Sequence, residues 1–215
     1  MANYKDLHGF QIKHLSSNPP APLEGEIWYN TTTQTLKVAP AISAWASGNN
    51  MNTARSGFNG QAYGTKDSSL ASGGSATTKV TTTEEYDGTD WTASNNMNTA
   101  RNQMAGFGIQ TAAVAAGGQL QPTNQTQATE EYNGTSWTSV TNTPQHAYTA
   151  AGAGILTAGV IFGGQTAPGG DPGQATNTNV TLEYDGTNWT SGGNINTVSQ
   201  RRGGAGTQTA ALAIS

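Results

Sequence analysis

Four tryptophans recur at nearly even intervals: Trp45, Trp91, Trp137 and Trp189 stand 46, 46 and 52 residues apart. One octapeptide precedes three of them, EEYDGTDW at 84–91, EEYNGTSW at 130–137 and LEYDGTNW at 182–189. The stretch after three of them is also repeated, as WASGNNMNTAR from Trp45, WTASNNMNTAR from Trp91 and WTSGGNINTVSQR from Trp189. A unit of this length cannot bury its apolar face alone, so the repeats must be covered by their neighbours in one array.

The octapeptide predicts a hairpin. Asp-Gly or Asn-Gly between β-rich flanks is a tight-turn signal, with both residues expected at positive φ. Around Tyr184 the alternation is clear: Val180, Leu182 and Tyr184 share one face, and Thr181, Glu183 and Asp185 the other. A second, small-residue hairpin lies between tryptophans, as AGFGIQTAAVAAGG at 105–118 and AGAGILTAGVIFGG at 151–164. Its first version, NGQAYGTKDSSLASGG at 59–74, is more polar and keeps the closing Gly-Gly. Gly and Ala at this density suit strands crowded around an axis, where larger side chains do not fit. Four short strands in about 46 residues make a propeller blade. No segment carries helical periodicity with caps, and the expected class is all-β.

The last small-residue hairpin, GAGTQTAALAIS at 204–215, has no octapeptide after it. The expected substitute is EIWYNTTTQTLKV at 26–38 with AISAW at 41–45, where Tyr29-Asn30 aligns with Tyr86-Asp87. Residues 26–45 would then complete the blade begun by 203–215, giving a four-bladed ring without free edges. Completion of a neighbour's blade instead is the domain-swapped alternative. Residues 1–25 are expected to form an extended arm. Pro19, Pro20 and Pro22 block ladder pairing there, and Leu7, Phe10, Ile12 and Leu15 are too few for a core of their own. They are expected to dock on a larger particle.

Composition narrows the function. Nine Lys and Arg against thirteen Asp and Glu leave no basic stripe for a phosphate backbone, so nucleic acid is not an expected partner. There are no cysteines, and His8, His14 and His146 do not form a spaced metal set. No cofactor is expected, nor any membrane insertion, since no long apolar run exists. The first residues lack the apolar stretch of a signal peptide, which points to synthesis in a cytoplasm.

The recurring charges, Glu85, Glu131 and Glu183 with Arg55, Arg101 and Arg201 or Arg202, allow a ring of functional groups or a structural pairing. Catalysis needs unlike groups in divided roles, so repetition favours an ion pair or hydrogen bond that fixes one blade on the next. The four tryptophans could stack sugar rings, but their size favours inter-blade core. Asp87, Asn133 and Asp185 each precede Gly in a turn, where turn chemistry accounts for them. No nucleophile elbow, Walker, zincin or EF-hand pattern occurs, and no enzyme activity is expected. Ligand contacts are expected in the non-repeating loops 119–128 and 165–179, where Asn124, Gln125, Asp171, Asn177 and Asn179 offer groups for glycan hydroxyls.

Gly-Gly at 73–74, 117–118 and 163–164, followed by Tyr and Trp at fixed offsets, resembles the kelch repeat over residues 45–215. Kelch propellers usually have six or seven blades, so four is a departure. The wording of the units, GTQTAALA and NMNTAR among them, is similar to kelch-like proteins of marine tailed bacteriophages. NPPAPLEGEIWYNTTTQTLKV resembles a module near the start of phage tail-fibre and virion proteins. The resemblance implies a virion structural protein serving in host-surface adhesion or capsid decoration, homo-oligomeric in the particle and joined to other virion proteins through its arm. A soluble lectin-like propeller is the alternative.

Overall fold

The computed structural model describes residues 12–19, 26–39, 48–58, 61–201 and 203–214, and the chain divides into two compact units, 1–47 and 48–215. Trp45, Leu7, Phe10, Arg202 and the AISAW segment lie outside the described residues.

The first unit is a three-stranded sheet of β1 (Lys13–Leu15), β2 (Ile27–Asn30) and β3 (Thr35–Val38), in the order β1-β2-β3. The 26–38 hairpin forms as the sequence predicts. Asn30 shapes its turn, its Oδ1 accepting from Thr32 N at 3.0 Å and Thr33 N at 2.9 Å. Strand β1 was not expected. It runs parallel to β2, with Lys13 opposite Trp28 and Leu15 opposite Asn30. Asn18 Oδ1 accepts from Trp28 Nε1 and Asn30 Nδ2, both at 3.3 Å, and Lys13 pairs with Glu26 at 2.5 Å. Leu15 is therefore a strand residue that shares a sheet with the hairpin, rather than part of a separate arm. Both edges of β2 are taken, by β1 and β3.

The second unit is built of antiparallel meanders. The first is β4 (Gln61–Thr65), β5 (Ser68–Ser72), β6 (Thr83–Tyr86) and β7 (Trp91–Ser94). The next comprises β8 (Ala105–Ile109), β9 (Ala112–Ala116), β10 (Thr129–Tyr132) and β11 (Trp137–Val140). Parallel pairing of β4 with β8 joins these two into one curled eight-stranded sheet. The third meander is β12 (Ala151–Ile155), β13 (Ala158–Phe162), β16 (Thr181–Tyr184) and β17 (Trp189–Ser191), interrupted by a small hairpin of β14 (Gln165–Thr166) and β15 (Thr176–Asn177). Last come β18 (Gly203–Thr207) and β19 (Ala210–Ile214), paired with each other. The molecule is all-β, and among the described residues two single-turn 3-10 segments stand at Pro168–Gly170 and Pro172–Gln174.

Glycine brings the first strands of successive meanders together. A Cβ on Gly152 would lie 2.4 Å from the carbonyl oxygen of Gly106, and one on Gly204 would lie 2.4 Å from that of Gly152. Neighbouring backbones thus touch where any side chain would separate them. Strands β4, β8, β12 and β18 neighbour one another in series, and β4 also approaches β18. A backbone staircase follows the same order: Gln103 N donates to Gly57 O, Thr149 N to Gln103 O and Arg201 N to Thr149 O, at 2.8–3.0 Å. All four residues sit at positive φ, which only Gly57 adopts without strain.

The octapeptide turns differ from expectation in one respect. Only the glycine is left-handed, at φ of 95°, 87° and 94° for Gly88, Gly134 and Gly186. Tyr86 pairs with Trp91, which leaves a four-residue loop rather than two, and the side chain before Gly organises it. Asp87 Oδ1 accepts from Thr89 N and Asp90 N at 2.8 Å, and Asn133 and Asp185 repeat the pattern. These backbone bonds favour the carboxylate and hold Asp87 and Asp185 below the usual carboxylate range.

Candidate functional site

Two arrangements gather polar side chains, and they differ in kind. The first is repeated and buried. Arg55 pairs with Glu84 at 2.9 Å and Arg101 with Glu130 at 3.1 Å, all four side chains at most 2% exposed. Glu130 also accepts from Asn98 N at 2.7 Å, and Arg101 donates to the carbonyls of Gly117, Ala128 and Ala115. The entering segment NMNTAR is thereby clamped to the strands of the meander it enters. Burial lowers both arginine pKa values, and the carboxylates oppose that shift.

Glu85 and Glu131 do tie one meander to the next, and the arginine side chains do not. The arginines take the first glutamate of EEY, while Glu85 and Glu131 reach the next meander: Tyr132 Oη donates to Glu85, and Tyr184 Oη to Glu131 at 2.6 Å. Alternation along a strand sends successive side chains to opposite faces, so the two glutamates cannot serve the same partner. Burial, and then the bond to Glu85, push the Tyr132 phenol up to about 12; Tyr184 is raised for the same reasons. Glu183 holds the corresponding place in the third meander. Arg201 is not the last counterpart of Arg101. Gly74 N, Gly118 N and Gly164 N donate to the carbonyls of Arg101, Ala147 and Ser199, which identifies those three as equivalent.

The tryptophans sit as cross-strand partners of the tyrosines, with ring centroids 5.0 Å apart for Tyr86–Trp91, 5.1 Å for Tyr132–Trp137 and 4.7 Å for Tyr184–Trp189. Trp137 and Trp189 are buried and Trp91 is half-buried. Trp137 Nε1 donates to Thr83 of the preceding meander at 2.9 Å. At the next junction the equivalent atoms, Trp189 Nε1 and Thr129 Oγ1, are buried without a partner.

The second arrangement is unrepeated and lies in the loops after each Gly-Gly. Each loop opens with a small bridge, Ser75 to Lys79, Gln119 to Gln125 and Gln165 to Asn177, and the loops lengthen in that order. They are tied to one another. Lys79 Nζ donates to Leu120 O at 2.6 Å and Pro122 O at 2.9 Å, and Gln125 N donates to Gly170 O at 2.9 Å. Burial lowers the pKa of Lys79 and of His146, whose Nε2 lies close to Gly170.

Asn124, Asp171 and Asn177 are exposed on this layer and Asn179 is half-buried. Gln125 is not a surface residue: it is 4% exposed, and neither end of its amide has a partner. Asp171 Oδ1 caps the second 3-10 turn through Gly173 N at 2.9 Å, and Asn177 Oδ1 accepts from Gln165 Nε2 at 3.1 Å. The Lys79 anchor escaped the sequence reading because a lone lysine carries no signal of what it meets 41 residues later. Gln110 and Gln208 were missed as well: each side-chain amide donates to two carbonyls of a neighbouring meander, Ser69 and Tyr86 or Gly159 and Tyr184. Their shared setting in GIQT and GTQT was the available signal. Among the described residues, no cluster of three or more His, Asp or Glu could hold a metal ion, and no helix is long and apolar enough to cross a membrane. No protein-family model matches the chain, and the comparison with curated proteins returns no match.

Proposed function

We propose that this is a virion structural protein of a tailed bacteriophage, a four-bladed propeller that presents a loop face for adhesion to host-surface glycans. In this reading residues 26–45 complete the blade begun by β18 and β19, and the N-terminal segment joins other virion proteins. The observation that carries the proposal is the contrast between the two polar arrangements. The recurring charges are consumed inside the scaffold, whereas Asn124, Asp171 and Asn177 are held outward on loops bound to one another. Amides, a carboxylate and threonine hydroxyls on a fixed layer suit the hydroxyl pattern of a sugar, and rigid scaffolds commonly place binding groups on such loops.

A soluble lectin-like propeller uses the same loop face without a particle. The experiment combines a glycan array with a particle-incorporation assay on the wild type and a variant with 168–174 shortened to a Gly-Ser link. The virion reading expects incorporation of both proteins and loss of glycan signal in the variant. Glycan binding without any incorporation favours the lectin, and absence of both sinks the proposal.

A further inference from the structure

Among the described residues, two strand sets carry more than one uncovered large apolar side chain, whereas β8 and β12 each expose one, Ile109 and Ile155. On the hairpin Ile27, Leu36 and Val38 are 49%, 52% and 60% exposed, and on β19 Leu212 and Ile214 are 61% and 52% exposed. Strand β19 is also the odd member of its class. Its equivalents β5, β9 and β13 each pair onward with the first strand of an octapeptide hairpin, whereas the described partner of β19 is β18 alone. An apolar five-residue edge without charge or proline is a template for another strand.

The repeat prescribes the register of that missing strand. In the third meander Tyr184 lies opposite Gly159 and Leu182 opposite Ile161. Moved to the last hairpin, the same register sets Tyr29 opposite Ala211, Trp28 opposite Leu212 and Ile27 opposite Ala213. It also brings the Tyr29 hydroxyl toward Glu183, as Tyr132 reaches Glu85 and Tyr184 reaches Glu131. Yet this edge of β2 is already in use: Lys13 and His14 lie opposite Trp28 and Tyr29.

We infer that β1 is a displaceable cap on the docking edge of β2, and that β19 of the same chain takes its place when the fourth blade closes. The inference rests on the propeller reading. The exchange trades a three-residue parallel ladder for a longer antiparallel one, which is the more stable pairing per residue, and sets Leu212 beside Trp28 on one face of the joined sheet and Ala213 beside Ile27 on the other. What is given up is a short and partly wet set: the Lys13–Glu26 pair is exposed on the lysine side, the two Asn18 bonds are long, and the tightest contacts are Thr31 N to Leu15 O at 2.8 Å and Thr32 Oγ1 to Ser16 O at 2.6 Å, beside the His14–Tyr29 ring contact. The same chain is the chosen partner because the nine residues between Val38 and Gly48 let those two positions stand at most about 35 Å apart, which keeps the local concentration of the hairpin high.

The absence of native cysteine makes the test clean. Ile27→Cys with Ala213→Cys places a disulfide across the prescribed register. Oxidation is followed by mass spectrometry and gel filtration in three settings: the full chain, the full chain with Lys13→Glu, which sets two carboxylates side by side, and the chain lacking residues 1–19. The expected result is slow formation of a monomeric disulfide in the full chain and severalfold faster formation in the other two. Equal, fast rates in all three overturn the cap while leaving closure intact. No disulfide in any setting overturns closure itself, and with it the exchange. A disulfide between two chains assigns the edge to a second copy and overturns the in-chain exchange.

Discussion

At the residue scale, the third meander performs a substitution experiment on the other two. Where the second holds Arg101 and Glu130 as a buried ion pair, the third holds Ala147 and Leu182, both buried in one cluster with Phe107, Val114 and Trp189. Both partners change together because a lone buried charge is far more costly than an apolar pair. Arg101→Ala alone should therefore cost roughly 3–5 kcal/mol, since it strands the Glu130 carboxylate. The double variant Arg101→Ala with Glu130→Leu should be more stable than that single variant, although it removes more of the native network. Urea unfolding of the wild type and the two variants checks the order; a double variant weaker than the single one would show that the arginine's carbonyl contacts dominate.

At the element scale, the hairpins were legible and their partners were not. The octapeptide and the Gly-Ala strands carry turn chemistry and alternation, both local, and every predicted hairpin with described residues forms where it was expected. The glutamates of EEY could not be sorted from the sequence, because Glu84 and Glu85 are chemically the same and only the face of β6 tells them apart. The density of glycine in the inner strands was readable as crowding; the specific contact was not. Gly152→Ala should force the backbones of β8 and β12 apart, since its Cβ would fall 2.4 Å from Gly106 O. Overpacking of this kind costs about 1–3 kcal/mol, and a main-chain neighbour cannot rotate away as a side chain can. Ala153→Gly, on the same strand, serves as the control in a thermal melt. If the two variants melt alike, the close approach does not constrain the array.

For the whole molecule, the repeat carries its own limits. Each meander covers the next, so the array must end in exposed edges or find a strand to cover them. Removal of residues 1–47 takes away every strand of the first unit while leaving the second unit whole, with Leu212 and Ile214 uncovered on β19. The truncated protein should associate through that edge, with gel-filtration mass rising with concentration, and Leu212→Lys should reverse it. A truncated protein that stays monomeric at high concentration removes the premise of edge closure. The sequence by itself determined the class, the period, the hairpins and the loops that break the pattern, because those follow from propensity and alternation within a few residues. Only the tertiary structure decided which glutamate meets which arginine or tyrosine, that Gln125 turns inward, and that β1 lies along β2. Each of those depends on which chains of atoms meet across tens of residues, and strand pairing is blind to sequence distance: any exposed ladder edge accepts whichever backbone the fold brings to it.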